Sequence, residues 1–204
     1  MRRGARLLLN ICVYCGSANG TEPHFVAAAE ELGRRIGAAG HGLVYGGGDN
    51  GLMGKVARST LAAGGRVVGI IPEFLKNREH MLHEAQELVV VEDMHTRKRM
   101  MFERADAFVA LPGGIGTLEE LVEQLTWVQL GRHTKPVVIA DIGGFWRPLL
   151  SLFAHMRGSG FIRQEFELRY MVAERVADAL PMIESAIARQ ERAGGRVETI
   201  DPRL

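Results

Sequence analysis

The stretch Ala107-Phe108-Val109-Ala110-Leu111-Pro112-Gly113-Gly114-Ile115-Gly116-Thr117-Leu118-Glu119-Glu120 runs from an apolar, strand-like segment through three glycines into a helix-like one. Without a Cβ, glycine lets the backbone turn sharply and come close to a ligand. The first amides of the following helix have no intrahelical partner, and the helix dipole makes that end electropositive. Such a junction is a place for phosphate. The carboxylates Glu119 and Glu120, one turn in, add something that phosphate binding does not need. A plainer reading makes Thr117 the N-cap and Glu120 the third-position partner of a capping box. Within this stretch the two readings stand level.

The same strand–turn–helix unit recurs on either side. Apolar runs at residues 8–15, 42–45, 66–71, 88–91, 107–111, 136–140 and 170–173 read as strands, several of them rich in β-branched residues and continuous enough to be covered on both faces. Amphipathic stretches at 23–39, 52–63, 95–105, 118–130, 146–157 and 177–192 read as helices, five of them stopped at or just before a glycine. Alternation with short connections predicts one doubly wound, Rossmann-like α/β domain over residues 1–204, its mostly parallel sheet of about seven strands flanked by helices. Ligands of such sheets sit at the carboxyl ends of the strands.

Composition narrows the function classes. The chain has 204 residues and a formal net charge of +1, so no general electrostatic pull toward nucleic acid or anionic lipid operates. No window approaches the ~20 apolar residues of a membrane span, and the basic start at Arg2 and Arg3 leads into an apolar run broken by Asn10. A cytoplasmic location is expected. Cys12 and Cys15 lie in the first strand at an odd spacing that sends them to opposite faces, so they read as buried thiols. A metal site is not expected; His80 and His83 with Glu79 and Glu84 form the nearest metal-like cluster.

Four strand ends could face one crevice. Ser17, in Cys15-Gly16-Ser17, could donate to a phosphate or a ribose hydroxyl. Gly46, Gly48 and Gly51 match the dinucleotide pattern G-x-G-x-x-G, with Glu73 at a suitable distance, but they follow the second strand rather than the first. Arg97, Lys98 and Arg99 open a helix against its dipole, a placement that invites a nearby anion. An arginine there can take a phosphate or carboxylate through two parallel hydrogen bonds. Glu120 follows one strand later. A carboxylate, a guanidinium and two amide-rich loops describe a site for a phosphorylated sugar, with chemistry at the sugar carbon.

These residues resemble the Lonely Guy family of cytokinin-activating phosphoribohydrolases, once loosely labelled lysine decarboxylases. The resemblance rests on Cys15-Gly16-Ser17, Tyr45-Gly46-Gly47-Gly48 with Gly51-Leu52-Met53-Gly54, Met94-x-x-Arg97-Lys98 and Pro112-Gly113-Gly114-x-Gly116-Thr117-x-x-Glu120, and runs from about Leu9 to Ala140. It implies hydrolysis of the N-glycosidic bond of N6-modified adenosine 5′-monophosphates, with release of the free base and ribose 5-phosphate and no cofactor. The catalytic pair would be Arg97 and Glu120. Substrate-binding positions would be Ser17, Gly46, Gly47, Gly48, Glu79, Lys98, Gly113, Gly114, Ile115, Gly116, Thr117, Leu118, Glu119 and Thr126. A homodimer is the expected assembly, and no nucleic-acid or membrane partner is expected. Ile115 stands where plant-like members often carry tyrosine, and Ala18 where a second serine is frequent. The alternative from another class is a non-catalytic nucleotide or cofactor carrier on the same fold. An NAD-dependent oxidoreductase is a further rival.

Overall fold

The computed structural model describes residues 8–76, 80–163 and 167–194. Glu79 lies outside the described residues. Seven strands form one sheet: β1 (Asn10–Tyr14), β2 (Gly42–Tyr45), β3 (Arg66–Pro72), β4 (Glu87–Val91), β5 (Ala107–Ala110), β6 (Val137–Ala140) and β7 (Met171–Ala173). Their spatial order is β4-β3-β2-β1-β5-β6-β7, and every neighbouring pair is parallel. The expected sheet is therefore present, each strand within two residues of its expected limits.

Among the described residues six α-helices cover the sheet: α1 (Pro23–Ala38), α2 (Gly51–Ala62), α3 (Met94–Arg104), α4 (Ile115–Gln129), α5 (Arg147–Gly158) and α6 (Ala179–Arg192). The period-two geometry of β1 divides its side chains between two apolar layers. Ile11, Val13 and Cys15 pack with residues of α1, α2 and α6, whereas Cys12 and Tyr14 pack with residues of α3, α4 and α5. The two cysteines are thus free, buried and on opposite faces. Burial in an apolar surrounding raises both thiol pKa values, Glu120 adding to the effect, so neither is a ready thiolate.

Strand order reverses at β1, whose neighbours are β2 and β5. The chain leaves β1 for α1 on one face and β5 for α4 on the other, and the two connections part to open a crevice. They remain stitched at its floor, where the Gly16 amide donates to the Pro112 carbonyl at 3.1 Å and the Leu111 amide to Tyr14 at 2.9 Å.

Candidate active site

The capping-box reading of α4 does not hold. The helix starts at Ile115, its N-cap is Gly114 with no side-chain cap bond, and the first intrahelical hydrogen bond runs from the Leu118 amide to the Gly114 carbonyl. Thr117 is therefore the third helical residue rather than the cap. The amides left without an intrahelical partner are those of Ile115, Gly116 and Thr117. Gly114, Ile115 and Gly116 are exposed at the mouth of the crevice, and a Cβ on Gly114 or Gly116 would meet nothing within 4 Å. Gly113 is confined instead: a Cβ there would fall 2.2 Å from Thr117 Oγ1 and 2.9 Å from the Gly16 amide nitrogen. This glycine lets the β5 and β1 connections touch, and it leaves Ser17 exposed on the opposite lip.

One turn further, α4 turns Thr117, Glu120, Leu121 and Gln124 inward. Glu120 is 8% exposed. Facing it is Arg97 of α3, 6% exposed, with Nη2 at 3.8 Å from Glu120 Oε1. That separation is within ion-pair range and beyond a hydrogen bond. Arg97 Nη1 points at Met94 Sδ at 3.7 Å, and its Nε is buried with no hydrogen-bond partner among the described residues. Behind the pair lies Tyr14, whose phenol is raised well above its ordinary value by burial first, then by Cys12 and Glu120.

The start of α3 is compensated at its first turn. Asp93 caps it by accepting from the Thr96 amide at 2.7 Å, and that bond holds the Asp93 carboxyl below its ordinary value. The three cations then diverge. Arg97 goes into the crevice, Arg99 reaches exposed Glu103 at 3.9 Å, and Lys98 turns to α4, with Nζ at 2.5 Å from Glu119 and 3.1 Å from Glu123.

The glycine loop after β2 serves this arginine. Gly46, Gly47 and Gly48 are buried, and a Cβ on Gly46 would fall 2.0 Å from Arg97 Nη2. The segment 80–82 lies over the rest of the loop: Asp49 donates to His80, Leu82 to Gly47, and Gly48 pairs with Met81. The close approach these glycines permit is thus taken by protein groups, and Glu73 is exposed and held by Lys76 at 2.6 Å. The dinucleotide fingerprint finds no counterpart in this arrangement.

The structure accordingly brings together Ser17, Gly46, Arg97, Gly113, Gly114, Gly116, Thr117 and Glu120. Leu118 is half-buried against the apolar layer of α3 and α5. Thr126 stands apart: it is exposed, its Oγ1 bonds the Val122 carbonyl at 2.8 Å, and six residues place it about 240° round the helix from Glu120. Glu123 and Tyr14 are the neighbours that sequence reasoning missed. The i+3 spacing of Glu123 from Glu120 was the available signal for the first.

Comparison with known proteins places this chain in a family. The family model described as "possible lysine decarboxylase" matches residues 53–183. A cytokinin riboside 5′-monophosphate phosphoribohydrolase of Rhodococcoides fascians is 44% identical over 177 residues, covering 86% of this chain and 89% of that protein. The chain belongs to this family. A probable phosphoribohydrolase of the same name from Oryza sativa subsp. japonica is 42% identical over 187 residues, or 92% of this chain and 81% of the relative. One from Arabidopsis thaliana is 39% identical over 186 residues, or 91% and 87%. Among solved structures, the molybdenum cofactor carrier protein of Chlamydomonas reinhardtii superposes with a TM-score of 0.69 at 22% identity, covering 89% of this chain and 99% of that one. At that identity the likeness establishes the family's fold and nothing finer.

Proposed function

We propose that this protein hydrolyses the N-glycosidic bond of adenosine 5′-monophosphates, N6-modified cytokinin nucleotides included, releasing the free base and ribose 5-phosphate. The observation that carries this reading is the buried meeting of Arg97 and Glu120 beside the open amino end of α4. Cleavage of a ribosyl C–N bond develops positive charge on the sugar, and a carboxylate beside C1′ stabilises it. Glu120 fills that role and accepts a proton from the attacking water. The water oxygen bonds to C1′, while the C1′–N9 electron pair leaves with the base, which takes up a proton.

Arg97 faces Glu120 with its positive charge and offers the nucleotide its Nε–H, which has no partner among the described residues. The amides of Ile115, Gly116 and Thr117, with Gly113 and Gly114 giving room and Ser17 closing the other lip, hold the 5′-phosphate. Phosphate fixed there positions C1′ against Glu120, an effect that can contribute several kcal/mol. Gly46 contributes through Arg97. Glu79 and Thr126 come to the substrate by family resemblance alone.

The wording of the family model finds no chemistry here. A lysine that forms a Schiff base with pyridoxal phosphate works through a lowered pKa, and the four lysines do not offer one at the crevice. Lys55 and Lys76 are paired with Glu30 and Glu73. For Lys98, burial lowers the pKa, but bonds to Glu119 and Glu123 outweigh it and raise the value overall. Lys135, lowered by burial, precedes β6 at the amino edge of the sheet, opposite the crevice.

Two further proposals accompany this reading. The protein pairs as a homodimer through the outer face of α4, where Ile115 (81%), Val122 (38%) and Leu130 (66%) are exposed. It works in the cytoplasm, which suits two free thiols; among the described residues no helix is long and apolar enough to cross a membrane. The deciding assay incubates the protein with adenosine monophosphate and its N6-isopentenyl derivative and resolves the liberated base by chromatography. Glu120→Gln lowers turnover by about 10²–10⁴-fold in a folded protein. Nucleotide binding without base release would establish the carrier alternative instead.

A further inference from the structure

Tyr14, the last residue of β1, comes up beneath the Arg97–Glu120 pair. It is 2% exposed and belongs to the layer shared with α3, α4 and α5. Its strand neighbours on that face have little or no side chain. The register pairs it with Ala110 of β5 and, continued from Cys12 opposite Val44, sets it beside Gly46 just past the end of β2. A Cβ on Gly46 would fall 2.0 Å from Arg97 Nη2, so the guanidinium lies directly over this neighbour. Glu120 faces the same guanidinium at 3.8 Å. The phenol rising from the sheet and the carboxylate turned in from α4 therefore converge on one spot.

The ring is held in place. It stacks on Phe108 at 5.9 Å and 12°, and Phe108 stacks on Phe102 at 6.0 Å and 10°. Burial raises the phenol of Tyr14 and the thiol of Cys12 above their ordinary values, so both carry their protons at neutral pH. These two side chains, on one face of β1, share a hydrogen bond. Each is thus a neutral group with a proton to give. Two anions act on the phenol, Glu120 ahead of Glu123. Glu123 is set aside by its own geometry: Oε1 accepts from Lys98 at 3.1 Å, and Oε2 has no partner among the described residues.

We propose that Tyr14 is a positioning residue for Glu120: its O–H donates to the carboxylate from beneath while its oxygen accepts from the Cys12 thiol. This short relay fixes the inner side of the carboxylate and leaves its outer side to the water and C1′. The proposal rests on the hydrolase reading for its catalytic consequence and on the packing of β1 against α4 for its existence. A hydrogen bond to the charged form favours that form, so the carboxylate stays ionised to lower pH with Tyr14 than without it. The other charged or titratable groups about Glu120 are Arg97 and Lys98 of α3, Glu119 and Glu123 of α4, and Cys15 after β1, while Lys135 acts on Cys12. A change at Tyr14 leaves all of them in place.

The test compares Tyr14→Phe, Cys12→Ala and Tyr45→Phe with the wild type. Tyr45 is the control, a buried phenol in the opposite apolar layer whose hydroxyl has no partner among the described residues. kcat and KM for adenosine monophosphate are followed across the acid range. The Glu120 carboxyl carbon is titrated by NMR in the nucleotide-free protein, its resonance identified by its loss in Glu120→Gln. Tyr14→Phe is expected to move the acid limb of kcat and the NMR midpoint upward together, by about one pH unit. Plateau kcat falls about threefold to tenfold, the worth of one hydrogen bond, with KM within about twofold. Cys12→Ala moves both readouts the same way by less, and adds nothing on the Tyr14→Phe background. Tyr45→Phe moves neither. An unmoved limb and midpoint in Tyr14→Phe would overturn the proposal, and so would an equal displacement in Tyr45→Phe. If Tyr14→Phe does not fold, Cys12→Ala decides, and an unmoved midpoint there overturns it as well. A wild type that binds nucleotide without releasing base would defeat the hydrolase reading; the midpoints of the nucleotide-free proteins would still decide the relay.

Discussion

Gly46→Ala is the sharpest perturbation the structure offers, because it moves Arg97, the proposed catalytic arginine, without touching it chemically. The backbone at Gly46 is not in the left-handed region, so alanine meets no conformational penalty there. The obstacle is steric: the new methyl would lie 2.0 Å from Arg97 Nη2, 3.1 Å from its Cζ and 3.2 Å from Met53 Sδ. Nonbonded contact requires about 3.5 Å, so the guanidinium has to retreat by about 1.5 Å. The atoms in the way are the ends of flexible side chains, so the fold survives at a cost of about 1–3 kcal/mol for overpacking. A displacement of about 1 Å at a catalytic group can cost 10²-fold in rate, and that is the expected loss in kcat. The assay is base release from adenosine monophosphate, with melting temperature as the check on folding. Gly158→Ala, whose Cβ would meet nothing within 4 Å at the far end of α5, serves as the control with unchanged activity. The decisive comparison is a double-mutant cycle: Gly46→Ala on an Arg97→Ala background should cost nothing further, because the group it displaces is already gone. A folded Gly46→Ala protein with near-wild-type kcat, or a full additional loss on the Arg97→Ala background, would refute the link between this glycine and this arginine.

Gly116→Ala separates ligand from fold in the opposite sense. Its Cβ meets no protein atom and alanine is the better helix former, so the melting temperature should hold or rise while KM for the nucleotide increases at least tenfold; an unchanged KM would move the phosphate away from this turn. Acid stability should carry the mark of His133, which is packed against Phe102 and Phe108. Burial, then Lys135, lowers its pKa from 6.5 to about 4. The unfolded chain therefore binds this proton between about pH 6.5 and 4 while the native protein does not, so stability falls as pH drops through that window, by up to about 3 kcal/mol. His133→Phe should flatten that part of the curve of melting temperature against pH, and a slope left as steep as in the wild type would assign it to other groups.

Much of the architecture was legible because strands buried on both faces and helices stopped by glycine leave strong local patterns. The 42–45 strand was placed to the residue, and Arg97 and Glu120 were paired from their positions at successive strand ends. The start of α4 was not legible. Gly114 and Gly116 are poor helix formers, so local preference sets the start near Leu118, yet tertiary packing of Thr117 and Leu118 begins the helix at Ile115. Nor could sequence show that Gly46 accommodates Arg97, or that Lys98 bonds Glu123, since each pairing joins separate elements through the sheet order. For Gly46–Gly48 the motif pointed to a ligand approaching the backbone, whereas the group that approaches is the protein's own arginine.

That substitution explains why a fold that buries almost everything else tolerates a charged pair at its centre. Burying a guanidinium and a carboxylate costs free energy unless each is well hydrogen-bonded. Here they stand 3.8 Å apart, and the arginine Nε–H has no partner among the described residues. A pair arranged for stability alone would close to a bidentate contact below 3 Å. Gly46 and Met94 lie against the guanidinium, and Lys98 of α3 is ion-paired with Glu119 and Glu123 of the helix that bears Glu120, so both partners are tied on either side of the gap. An open gap between opposite charges is what a reaction that builds positive charge on a bound sugar can use, because the carboxylate is already in place and loses nothing to reorganisation when that charge appears.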